Sequence, residues 1–219
     1  MALAYDNASH SGFLNGTSNN LSHTTSGSDR LLCVYVYATT NNITGASYNG
    51  VSMTQVDNLL MTGGAAGQYL YMYQLVNPAT GANNVTVTSS SGMAGYISAV
   101  SYTGAAQTGQ PDASNKGEAS STSSQSVSVT TTADNCWLIG YAYTGNTMSA
   151  GTGTTLRGGS VAGILSAIDS NSATTPAGSD SLIVTQTASF AGMIVASFSP
   201  AGGGGGGATL PQFKGFARL

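Results

Sequence analysis

Eight carboxylates and two histidines are the side chains of this 219-residue sequence that could carry protons or hold a cation. They are Asp6, Asp29, Asp57, Asp112, Glu118, Asp134, Asp169 and Asp180, with His10 and His23. Cleaving a glycosidic bond takes two carboxyls that face each other across it, and no pair stands out here. Most of the acids sit beside Gly, Ser or Asn, where a short carboxylate accepts hydrogen bonds from its own turn. The histidines could act as bases, but no Gly-x-Ser-x-Gly elbow or His-Glu-x-x-His spacing accompanies them. Cys33 and Cys136 each lie inside an apolar run. They are expected as inert buried thiols rather than a disulfide, and a metal site would need more ligands. The glycine run at 202–207 formally contains Gly-x-Gly-x-x-Gly but does not open a helix. The expectation is a non-enzyme with no catalytic residues, no cofactor and no metal.

Tyrosine is the prominent aromatic, with eleven copies against five Phe and one Trp. Tyr35 and Tyr37, Tyr69, Tyr71 and Tyr73, and Tyr141 and Tyr143 recur at every second position. That spacing puts each set on one face of a strand. Three roles suit such stripes: an interlayer core with phenols reaching its rim, a subunit interface, or a platform for sugar rings.

The elements that carry these residues read as strands. RLLCVYVYA (30–38) is apolar on both faces, as a central strand should be. Asn49-Gly50 lies between two strand-like runs, where a two-residue hairpin turn requires positive φ. In NNVTVTSS, Val85 and Val87 fall on one face, Thr86 and Thr88 on the other. GYISAVSYTG, QSVSVTTT, NCWLIGYAYTG, TTLRGG, SLIVTQT and SFAGMIVASFS follow the same rule. Glycines 158, 159 and 163 weaken a helix in GGSVAGILSAIDS, so a strand is expected at about 164–169. Twelve or so short strands indicate a β-sandwich or jelly roll. An internal echo accompanies them. VTVTSSSGMAGYISAVSY (85–102) aligns with LIVTQTASFAGMIVASFS (182–199) at constant offset, Ile97 above Ile194.

Composition sets the surface. Only 6% of residues are charged, where about 25% is usual, while 41% are hydrophobic and the net charge is −3. The chain is therefore expected to fold, with an outside of Ser, Thr, Asn, Gln and Gly. Lys116 and Lys214 are the only lysines, so little charge is available to blunt strand edges. Edges must be covered, or association is wanted. Five cations in all argue against a nucleic-acid partner. No run of 18 apolar residues argues for a membrane span. MALAYDNASHSGF lacks a basic and then apolar leader, so release by lysis or a leaderless route is expected.

The last stretch, SPAGGGGGGATLPQFKGFARL, is of another kind. The glycine run behaves as a coil spanning roughly 12–14 Å. Beyond it stand apolar Leu210, Phe213, Phe216 and Leu219 with cationic Lys214 and Arg218. Apolar anchors on a leash suit docking into a groove on another subunit; the alternative is a return onto the chain's own body. The expected organisation is thus a single two-layer antiparallel β-sandwich of jelly-roll type over 1–200. A Gly-rich linker with a docking peptide follows over 201–219.

Four motifs, SGSDRLL (26–32), YNGVSMT (48–54), LVNPATG (75–81) and AVSYTG (99–104), resemble a family of β-sandwich modules. That family is common in phage and metagenomic proteins, with relatives in bacterial surface proteins. The resemblance runs from about residue 2 to Ala201 and leaves out the Gly-rich tail. It implies a concanavalin-like jelly roll with a structural or adhesive role and no catalytic residues. The expected function is a phage virion structural protein, a capsid decoration or tail-associated subunit. Its partners would be a major capsid protein and copies of itself, with no nucleic acid and no membrane. The alternatives are a carbohydrate-binding adhesion module that meets surface glycans, and a subunit of a self-assembling extracellular filament.

Overall fold

The computed structural model describes residues 1–161 and 163–202. All regular structure in it is antiparallel β. The organising element is β3 (Leu31–Ala38), in which all eight residues are buried. Its side chains alternate between two cores. Leu31, Cys33, Tyr35 and Tyr37 enter one; Leu32, Val34, Val36 and Ala38 enter the other. A strand apolar on both faces needs a layer on each side, and two further sheets supply them.

Nine strands make up residues 4–103: β1 (Ala4–His10), β2 (Ser18–Thr25), β3, β4 (Ile43–Tyr48), β5 (Val51–Ser52), β6 (Thr54–Leu60), β7 (Tyr69–Val76), β8 (Gly81–Ser89) and β9 (Gly95–Thr103). They form a five-stranded sheet in the order β1-β9-β3-β7-β6 and a four-stranded sheet in the order β2-β8-β4-β5. Val85 and Val87 of β8, with Ala46 and Tyr48 of β4, close the first core over β3. At the β4–β5 turn, Asn49 and Gly50 have φ of 48° and 78°, the pair of positive values that a type I′ hairpin requires.

The remaining strands are β10 (Ala113–Thr130), β11 (Trp137–Thr144), β12 (Ser149–Ala150), β13 (Thr155–Leu156), β14 (Leu165–Asp169) and β15 (Ser179–Phe198). They share one sheet, β10-β15-β11-β14-β13, with β12 beside β15. β10 and β15 form a long antiparallel pair, and its register slips around Thr122. Beyond the slip the pair folds back over its own sheet. Val127, Val129, Leu182 and Val184 of the far part pack on Leu138, Ala142, Met193 and Val195. Gly117 sits at this crossing; a Cβ there would come 3.3 Å from Val127 Cγ2. The middle core lies between this sheet and the five-stranded one, where Leu31, Tyr35 and Tyr37 meet Ile139, Tyr141, Tyr143, Ile194 and Phe198.

The expected two layers with one core are therefore corrected to three sheets with three cores. The physical reason was present in β3 and β11, both apolar on each face. The same wiring also occurs twice. The near halves of β10 and β15 take the places of β1 and β9, their far halves those of β2 and β8, and β11, β14 and β13 those of β3, β7 and β6. Leu31 pairs with Tyr102 as Trp137 pairs with Phe198.

A shift of 106 carries Asp29 to Asn135, both at positive φ, and Tyr35 to Tyr141. The echo seen in sequence holds for Val85 and Leu182, both in outer cores. It is one residue off in the next strand. Ile97 faces an outer core while Ile194 faces the middle one, so the counterpart of Ile97 is Met193. In a period-two element one residue is enough to change faces.

Candidate functional site

The carboxylates mostly clamp turns. Asp6 accepts hydrogen bonds from the Ser26 amide (2.9 Å), the Ser26 hydroxyl and the Ser101 hydroxyl (2.7 Å). Asp112 does the same in the second half, with the Thr132 amide (2.8 Å), the Thr132 hydroxyl and the Ser197 hydroxyl (2.9 Å). Burial alone would raise both pKa values. The hydrogen bonds outweigh it, so both carboxyls sit below their ordinary range. Glu118 accepts from the Thr62 amide and hydroxyl. Asp134 accepts from the Ala177 amide, and Asp180 from the Thr174 hydroxyl and the Ser181 amide. Among the described residues no three His, Cys, Asp or Glu side chains gather as a metal site. Cys33 and Cys136 are free and buried, and burial pushes the Cys136 thiol up to about 11.

Asp169 departs from the turn-capping expectation. It lies on β14, fully buried. Arg157 Nε and Nη2 grip its two oxygens at 2.7 and 3.0 Å, and the Tyr102 hydroxyl donates at 3.0 Å. The guanidinium also lies 4.2 Å over the Tyr5 ring and donates to Asn171. Nothing local in TTLRGG marks Arg157 for this role, since its partners come from three other strands or turns.

His23 is the more enclosed of the two histidines. Its Nε2 is 3.1 Å from Ser101 Oγ and its Nδ1 is 3.0 Å from Ser9 Oγ. Ser101 spends its only proton on Asp6, so it must accept from Nε2–H; Nδ1 is then the acceptor of the Ser9 hydroxyl. Burial lowers the imidazole pKa to about 4, against a smaller opposing pull from Asp6, and a further lowering comes from His10. The ring is neutral at pH 7. A serine aimed at an imidazole is also the beginning of a nucleophile–base pair. The second half supplies an internal control. Its Asp112–Thr132–Ser197 clamp closes with Val129 in the position of His23. The clamp itself therefore does not need a histidine. His10 lies apart, with Nε2 3.3 Å from the Arg157 carbonyl.

The tyrosine stripes are core. Tyr35 and Tyr141 stack at 5.0 Å with an interplanar angle of 7°, and Tyr37 meets Tyr143 edge-on at 4.9 Å. Tyr71 and Tyr73 line the first core. These rings therefore offer no sugar platform. Polar ties stitch the rim of the middle core, including Lys116 to Asp57 at 2.8 Å and Thr62 to Glu118.

Two of the surface hollows bear on function. One, of about 410 Å³, is neutral and lined by Ser22, Asn49, Asn83, Asn84 and Thr86 on the outer face of the four-stranded sheet. The other, of about 320 Å³, is largely apolar and runs past Leu3, Trp137, Ala173, Pro200 and Gly202. The residues expected to dock a partner, Leu210, Phe213, Lys214, Phe216, Arg218 and Leu219, lie outside the described residues. Comparison of the chain with protein-family models, with curated proteins and with solved structures found no match. What the protein does has to be argued from this geometry.

Proposed function

We propose that the protein is a structural building block of a phage particle, a head-decoration or tail-associated subunit made of two jelly rolls packed back to back. The observation that carries this reading is the strand order. In the first half the outermost strands of the chain pair as β1 with β9, then β2 with β8, and the sheets read β1-β9-β3-β7 and β2-β8-β4-β5. Such nested pairing supports a jelly-roll reading, an architecture recurrent in viral capsid and lectin domains. The second half repeats it. Function from fold is an analogy, and the chemistry of the described residues supports it: seven of the eight carboxylates, all but Asp29, are occupied in clamps and ion pairs. The outer faces carry hydroxyls and amides, such as Ser18, Asn20, Thr88, Ser126 and Ser128. Low charge on such faces favours close packing beside other subunits. Mass spectrometry of purified particles from the source should find this chain in many copies. Particles that lack it would remove the reading.

A carbohydrate-binding adhesion module is the second reading, favoured by the neutral Ser/Asn/Thr hollow on the four-stranded sheet. A glycan array with the intact chain tests it, and an array without hits removes it.

A further inference from the structure

We propose that the far part of β10, residues 126–130, pairs antiparallel with the same strand of a second copy across a two-fold axis. β10 ends its sheet, with β15 on one side. Among the described residues no strand pairs with the other side. Backbone groups along a strand point alternately to its two sides. The Thr131 amide donates at 2.9 Å to the carbonyl of Gly178, which leads into β15, and the register is unbroken from Ser124 to Thr130. Val129 and Val127 therefore bond to β15 as well, while Ser126, Ser128 and Thr130 turn their backbone groups outward. The Ser128 carbonyl accepts from the Asn115 side chain there, at 2.9 Å, and keeps a second lone pair.

The strand itself selects the occupant. A row of outward N–H and C=O groups takes another strand. Turned about Ser128, this one is complementary to itself. Ser126 falls opposite Thr130 of the second copy, Ser128 opposite its own counterpart, and Val127 opposite Val129 on the core side. Both valines already belong to the outer core of this half, so pairing continues that core across the axis. No charged residue stands between Glu118 and Asp134, so the strand meets its copy without the like-charge repulsion that opposes such pairs.

The other edges are guarded in ways that natural sheets use against pairing. β1 and β6 carry register breaks, and Lys116 reaches over to Asp57 and the Asn58 carbonyl of β6. β5, β12 and β13 have two residues each. β2, the counterpart in the first half, contains Asn19 and Asn20, a residue type that disfavours strands, and Asn7 donates to its Thr24 carbonyl. Residues 126–130 carry neither a register break nor a charge. A two-fold contact at this edge closes on itself and yields a dimer rather than a fibre. The inference stands apart from the virion reading, and neither depends on the other.

Sedimentation velocity of the full chain from about micromolar to millimolar concentration, with amide hydrogen exchange at both ends of the range, tests it. The chain should pass from monomer to dimer, and the Ser126, Ser128 and Thr130 amides should gain protection as it does. Ser128 is exposed, so its side chain can be changed without disturbing the core. Ser128→Lys sets two cations opposite each other at the axis and should weaken the dimer about 5-fold. Ser128→Glu should do the same, and an equal mixture of the two variants should restore pairing. A chain that stays monomeric at millimolar concentration would overturn the proposal. So would a dimer that both variants leave unchanged, or a mixture that fails to restore it. Protection that rises at Asn20 and Ser22 of β2 instead would also overturn it, because the contact would then lie on another edge.

Discussion

The same substitution, Tyr to Phe, should change stability in opposite directions at two neighbouring positions of the middle core. At Tyr141 the buried hydroxyl lies near Ser98 but makes no hydrogen bond of proper geometry, while the ring stacks on Tyr35 at 5.0 Å. Burying an unpaired hydroxyl costs roughly 1–3 kcal/mol. Phe keeps the stack and removes that cost, so Tyr141→Phe should stabilise the fold by about 1 kcal/mol. At Tyr102 the hydroxyl donates at 3.0 Å to the fully buried Asp169 carboxylate. Phe there deletes a charge-assisted bond, worth roughly 1.5–3 kcal/mol, and leaves Asp169 to Arg157 alone. Tyr102→Phe should therefore destabilise by about 2 kcal/mol. Urea unfolding followed by circular dichroism reads both as midpoint shifts of opposite sign at unchanged slope. If Tyr141→Phe lowers the midpoint as Tyr102→Phe does, the hydroxyl at 141 has a partner and the account of this core is wrong.

Acid should act through His23. Its pKa is about 4 in the folded chain against about 6.5 unfolded, so the folded state binds fewer protons between those values. Its contribution is complete above pH 6.5 and is lost as pH falls through 4, by roughly 3 kcal/mol at most. His23→Val, after the pattern of Val129, should flatten the unfolding midpoint across that window; an unchanged slope would show that other groups set it. Arg157→Met should cost roughly 3–5 kcal/mol, because it strands a buried carboxylate. Asp169→Asn added to it should recover much of the loss in the same unfolding assay. Gly95→Ala should cost roughly 3 kcal/mol or more, since a Cβ there would lie 1.8 Å from the Tyr37 carbonyl oxygen. Soluble, normally melting Gly95→Ala protein would show that the β3–β9 contact is looser than described.

What could be read from the sequence was local. β3 announced two buried faces, Asn49-Gly50 its turn, and the strand at 165–169 survived the helical pattern of its glycines because those glycines could not hold a helix. β1, β2 and the first part of β10 were missed. AYDNASH, SNNLSHTT and ASNKGEASS carry too few apolar residues to show alternation; they are edge strands ordered by their neighbours rather than by burial. The fold-back of the β10–β15 pair is equally silent in sequence, because only Gly117 and a register slip mark it. The candidate sites were the least legible. Asp6, Ser9, His23, Ser26 and Ser101 meet across 95 positions of chain, and the cluster of Arg157, Tyr5, Asp169 and Tyr102 forms only once both halves have closed.

The pairing of two like halves through one tyrosine-rich face also fixes an order of events on the ribosome. β9 completes the first half at Thr103, but the strand that finishes its cover ends at Phe198. At about 5–20 residues per second, Leu31, Cys33, Tyr35 and Tyr37 wait roughly 5–19 seconds for their counterparts. A nascent chain with so few charges has little to repel a neighbour on the same polysome during that interval. Translation speed over residues 104–198, and the chaperones that shield this face meanwhile, should therefore govern how much of the product emerges soluble.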